Sequence, residues 1–124
     1  MNTLGFNEHT HDLTPDELQL VPLVINGFKK YTKDNPIKSD AVINSFNDFL
    51  NKNPKYKIRK ITGVRLRKLI NYIRTNGLQP IIGSSKGYYV SFEANDIREQ
   101  INSLEERANS ILGCSNGLSK FLKK

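Results

Sequence analysis

Arginine and lysine bond phosphate oxygens, and arginine and asparagine carry paired groups that match the edges of guanine and adenine. This chain gathers those residue types in one interval. Between Asp48 and Glu93 there is no acidic residue, yet ten of the nineteen lysines and arginines lie there. The interval therefore has a formal charge of +10, and the nine basic and twelve acidic residues elsewhere leave −3, which together make the +7 of the whole chain. A field of one sign with no counterweight suits a polyanion. The alternative is a solvated basic surface kept for solubility, although such surfaces usually mix both signs.

Other chemistry is poorly served. His9 and His11 form an H-x-H pair with no third ligand nearby, so a chance pair is the better reading than a metal site. Cys114 has no histidine within its own element to activate it. Neither phosphate-cradling pattern, G-x-x-x-x-G-K-[ST] or G-x-G-x-x-G, occurs. Glu105 and Glu106 are neighbours on a helix and point apart. No enzyme, metal or other cofactor is expected.

The 124 residues fit one domain with a modest core. No apolar run approaches the roughly 20 residues needed to span a bilayer, so no membrane partner is expected. The first residues lack the basic flank and apolar stretch of a secretory signal. The single cysteine has no internal disulfide partner and suits a reducing cytoplasm.

The elements that must position the basic residues are legible in order. Residues 1–13 read as a flexible polar tail. Thr14-Pro15-Asp16-Glu17 is a helix start, and the helix runs towards Tyr31 with a kink expected at Pro22. Asn35-Pro36 breaks it. A second helix follows, with Ser39 as its cap and Val42, Ile43, Phe46, Phe49 and Leu50 along one face. Lys55 to Ile61 reads as a short strand or an extended link. Thr62 caps a third helix that stops at Asn76-Gly77. Gln79–Ile82 and Tyr88–Phe92 are strand-like and flank a glycine-bounded five-residue loop, residues 83–87. A last helix occupies 94–112 and ends at Gly113, leaving 113–124 as a second flexible tail.

This order implies a mainly α fold with a small β-hairpin (α+β): a winged helix-turn-helix with a C-terminal helix, occupying 14–112. That architecture lays its third helix in the major groove of DNA and its loop over the backbone. On helix 62–76, Leu66, Leu69, Ile70 and Ile73 form the stripe that must face a core. Val64, Arg67, Lys68, Asn71 and Thr75 then face outward. Arg67, Lys68 and Asn71 are the candidates for base edges, and Gly63 leaves room for a close approach. Lys57, Arg59, Lys60, Thr62, Arg65 and Arg74 suit backbone phosphates, as do Ser84, Ser85 and Lys86 of the loop. For each of these the alternative is a solvated surface side chain. Tyr88 and Tyr89 alternate faces, and stacking on single-stranded nucleic acid is favoured only if both are exposed.

From Thr14 onward the chain resembles small winged-helix proteins encoded by bacteriophages and related mobile elements. The likeness rests on Leu13-Thr14-Pro15-Asp16-Glu17-Leu18, Leu20-Val21-Pro22-Leu23 and Ile37-Lys38-Ser39. It rests more strongly on Arg67-Lys68-Leu69-Ile70-Asn71-Tyr72-Ile73-Arg74, Ser84-Ser85-Lys86-Gly87-Tyr88-Tyr89 and Ser103-Leu104-Glu105-Glu106-Arg107-Ala108. It implies a winged-helix fold and binding of double-stranded DNA in transcription regulation or replication, within a bacterial or bacterial-host cytoplasm. It supplies no catalytic residue. The competing expectation is a protein–protein interaction module of a phage replication or regulatory complex, whose basic face meets an acidic partner.

In the last helix Ile97, Ile101, Leu104, Ala108 and Ile111 repeat at spacings of four and three. Two readings stay open: a homodimer seam through 94–112, or one apolar face packed on the domain's own core. A two-fold dimer would read half-sites about 34 Å apart, or a multiple of that.

Overall fold

Thr14 begins the first helix as the sequence indicates. Its hydroxyl accepts from the Glu17 amide while the Glu17 carboxylate accepts from the Thr14 amide, a complete capping box. In the structure, a computed structural model that describes residues 13–122, this helix α1 is short, Pro15–Leu18. The chain turns at Gln19-Leu20 and restarts as α2, Val21–Phe28. Pro22 is therefore not a kink inside one helix. It sits in the first turn of the second, where a missing amide donor costs nothing.

The chain divides after Ser91 into two compact units. In the first, α2 is followed by α3, Ser39–Lys52, and α4, Gly63–Thr75. Lys38 rather than Ser39 stands at the N-cap of α3, and no side chain caps it. Lys55 to Ile61 joins α3 to α4 without forming a strand. A hairpin follows, β1 (Ile81–Ser84) antiparallel to β2 (Gly87–Val90), with Ser84 opposite Gly87. The expected five-residue loop is thus a tight turn of two residues, Ser85 and Lys86. Neither has positive φ, and the unusual conformation falls on Gly87 at φ 129°.

Gly87 carries a second constraint. The Tyr88 amide donates to the Ile37 carbonyl at 2.7 Å, and the Ile37 amide donates back at 2.9 Å. The Val90 amide donates to the Tyr31 carbonyl at 3.1 Å. The segment between α2 and α3 is thereby pinned along the outer edge of β2. A Cβ on Gly87 would lie 2.5 Å from the Ile37 oxygen, so only glycine admits this approach.

The core of this unit combines one face of each helix with β1. Leu20, Val24 and Phe28 meet Val42 and Leu50, and all four residues of the α4 stripe are fully buried beside Ile61 and Ile81. Leu13, expected at the end of a tail, is buried in the same core. Residues 1–12, which include His9 and His11, lie outside the described residues.

The second unit contains α5, Ala94–Ser119, followed by a 3-10 turn, Lys120–Leu122. The helix does not stop at Gly113, and residues 113–119 are helical rather than a tail. A single glycine in an exposed helix costs only about 1 kcal/mol relative to alanine, and no residue after it is a proline that would enforce a stop. Ile101, Ile111, Leu112 and Leu118 of α5 are exposed instead of joining a core.

Candidate nucleic-acid interface

The start of α4 is fixed by three side chains. Thr62 caps it, its hydroxyl accepting from the Arg65 amide at 3.2 Å. Asn47 of α3 holds the residue before that cap from both sides: its amide group donates to the Ile61 carbonyl at 3.2 Å, and its oxygen accepts from the Ile61 amide at 2.7 Å. Arg59 turns its guanidinium onto the Leu50, Asn53 and Tyr56 carbonyls, where a cation complements the C-terminal end of α3. At the far end, the Gly77 amide reaches the Arg74 carbonyl at 3.1 Å and the Leu78 amide reaches Ile73 at 2.9 Å. With Gly77 at φ 63° this is a Schellman stop.

The outer face of α4 divides into two groups. Lys68 and Arg65 are paired with Glu17, which is 3% exposed. The Lys68 ammonium lies 2.9 Å from Glu17 Oε1 and Arg65 Nε lies 3.0 Å from Oε2. Burial by itself would raise the Glu17 carboxyl, but the hydrogen bonds from Lys68, the Thr14 amide and Arg65 outweigh it and hold the pKa down at about 2 from an ordinary 4.5. Lys68, expected at base edges, is therefore turned to a buried carboxylate, and Arg65 serves the same anion. The physical reason is plain: a desolvated carboxylate needs cationic donors, and these two are within reach.

Arg67, Val64 and Asn71 form the second group. Arg67 is exposed, Asn71 half-buried, and Val64 61% exposed. Among the described residues neither the Arg67 nor the Asn71 side chain has a hydrogen-bond or ion-pair partner. Arginine and asparagine in this state keep their paired bonding groups free, and an outward valine offers apolar surface that fits a thymine methyl group.

The remaining predicted contacts sort in the same way. Lys57, Lys60 and Lys86 are exposed. Arg74 is engaged, its Nε donating to the Ile81 carbonyl at 2.9 Å and tying α4 to β1. Ser84 is used inside the turn: its hydroxyl donates to the Gly87 carbonyl at 2.9 Å and accepts from the Lys86 amide at 3.2 Å. Ser85 keeps an exposed side chain while its carbonyl accepts from Lys38 at 3.1 Å. Tyr89 is buried, and Tyr88 is half-buried with its ring edge-on to Phe28 at 5.9 Å. The condition for single-strand stacking, both tyrosines exposed, is not met.

Glu17, Asn47 and Lys38 were not singled out by sequence as parts of this region. Glu17 reads there as a helix-start acid, and only its distance of about fifty positions along the chain from Lys68 conceals the pair. The chain matches no protein family, no curated protein and no solved structure.

Proposed function

We propose that this chain binds double-stranded DNA as a winged helix-turn-helix, with α4 in the major groove and the Ser85-Lys86 turn on the backbone. The observation that supports this best is the division of α4 into a fully buried stripe and an outward face bearing Val64, Arg67 and Asn71. That face lies within an interval of the sequence that contains no carboxylate. Backbone pairing of Tyr31 and Ile37 with β2 supports the wing, because it gives the hairpin a third extended neighbour.

In this reading Arg67 and Asn71 meet base edges and Val64 meets a thymine methyl group. Lys57, Lys60, Lys86 and the Ser85 hydroxyl meet phosphates. Lys68, Arg65 and Arg59 hold α4 and its approach in place, so they act on binding through position. The role fits the regulation of transcription or replication, as in the bacteriophage and mobile-element proteins that the sequence resembles.

A fluorescence-anisotropy titration of a random duplex pool and of its single strands, at several salt concentrations, tests the proposal. Duplex should bind better than single strand. With about six phosphates neutralised, affinity should fall about a thousandfold between roughly 50 and 200 mM salt. Failure to bind duplex at low salt overturns the reading and leaves the basic face to an acidic protein partner.

A further inference from the structure

The interval that holds α4 contains no carboxylate, yet the fold brings one to its outer face. Glu17 stands 48 positions from Arg65 and 51 from Lys68 along the chain. Three donors fill its oxygens. Lys68 Nζ and the Thr14 amide reach Oε1 at 2.9 and 3.0 Å, and Arg65 Nε reaches Oε2 at 3.0 Å. The Arg65 guanidinium also donates to the Lys60 carbonyl at 3.2 Å. Because the capping box fixes Glu17 at the start of α1, the carboxylate cannot follow either cation outward.

On the DNA-binding reading above, we infer that Glu17 sets the sequence selectivity of the α4 face by withholding Lys68 and Arg65 from DNA phosphates. Phosphate contacts strengthen binding to every sequence alike, whereas base contacts separate one sequence from another. Lys68 precedes Asn71 by three positions, so the two are neighbours on the helix surface. A free ammonium there is a mobile point charge that bonds any phosphate within reach. Held by Glu17, it leaves Arg67 and Asn71 as the free polar groups that a duplex meets.

Energetics favour the hold. Taking one partner from a buried pair leaves an uncompensated charge, which is strongly destabilising. A phosphate competing for Lys68 has to offset that loss first. The Glu17 carboxyl is held down at about 2, so the anion persists at neutral pH. The cations themselves are not sealed in: the side chains of Lys68 and Arg65 are 24% and 35% exposed, and both reach solvent once the carboxylate loses its charge.

Anisotropy titrations of the full chain with a random duplex pool, and with a duplex selected from it, test this in a salt series. Glu17→Gln removes the charge and keeps an acceptor for the Thr14 amide. Random-duplex affinity should rise and its log–log salt slope steepen by about one to two, at most about a tenfold larger fall between roughly 50 and 200 mM. The ratio of selected to random affinity should drop. Adding Lys68→Gln to Glu17→Gln should take back about one unit of that slope. If Glu17 merely tethers α1 to α4, Glu17→Gln weakens all duplexes with an unchanged or shallower slope, and that result overturns the proposal. The wild-type chain gives a second readout that needs no variant to fold. Its Arg65 Nε–H signal in nitrogen-labelled protein should hold its position as random duplex saturates the chain, and a displaced signal means that DNA takes this cation and the proposal is wrong. A wild-type chain that binds no duplex at low salt overturns the DNA reading itself, and the selectivity role with it.

Discussion

Residues 13–91 and the helix that follows place their apolar side chains in opposite ways. In the first unit nine large side chains, Phe28 and Leu69 among them, are buried almost completely. In α5 Ile101, Ile111 and Leu118 are exposed, Ile97 and Leu104 are half-buried, and the first-turn acid Asp96 is the one buried residue of the helix. Both segments carry an amphipathic helical pattern, so pattern alone does not reveal what covers the apolar face. The difference lies in the neighbours: α4 packs on α2 and α3, whereas α5 belongs to a separate compact unit and carries exposed apolar residues along its length. The two segments should therefore respond differently to similar mutations.

The largest contrast is expected between Leu69→Ala and Leu104→Ala. Leu69 is fully buried, and its truncation should cost about 2–5 kcal/mol of unfolding free energy in a denaturant titration of the first unit. Leu104→Ala, in the second unit and only half-buried, should leave that transition in place. Equal effects on the first unit's transition would erase the distinction.

Acid should act on the first unit through Glu17. Its carboxyl is held near 2 in the folded chain against an ordinary 4.5, so the stabilisation is fully present above the higher value and is lost as pH falls from about 4.5 towards 2. The shift corresponds to about 3 kcal/mol. Glu17→Gln should abolish most of this acid dependence in thermal melts, and an unchanged profile would assign it to other carboxylates.

Gly87→Ala should cost about 1–3 kcal/mol, because the new Cβ meets the Ile37 carbonyl in a backbone conformation that side chains disfavour. Hydrogen exchange at the Tyr88 and Ile37 amides should rise before any other part of the first unit does.

The remaining effects concern binding. Arg67→Ala should cost about 1–3 kcal/mol on a selected duplex and relax discrimination at one base position. Lys86→Ala should weaken all duplexes alike and reduce the salt slope by about one. If Arg67→Ala also weakens all sequences equally, direct base reading by that residue is wrong.

The parts of this structure that depend on local order were legible in the sequence. Thr62 and Gly77 bracket α4 because a hydroxyl and a left-handed glycine act on amides within a few residues, and the buried stripe follows from helical period alone. The capping box at Thr14 is local in the same sense. What could not be read depends on distant partners. Glu17 claims Lys68 and Arg65, Asn47 claims Ile61, and Arg59 claims the end of α3. Each of these residues looks like an ordinary surface side chain until the fold brings its partner up. Pro22 and Gly113 misled for a different reason: what each does to a helix depends on where in the helix it falls. Pro22 landed in a first turn and did no harm, and Gly113 was outvoted by the good helix formers before it.

The pairing of Tyr31 and Ile37 with β2 has one more consequence. An exposed strand edge is a template on which another chain can add a strand, with runaway assembly as the hazard. On β2 the outward amides of Tyr88 and Val90 are already taken by carbonyls of the same chain. That edge of the hairpin is closed to strand addition.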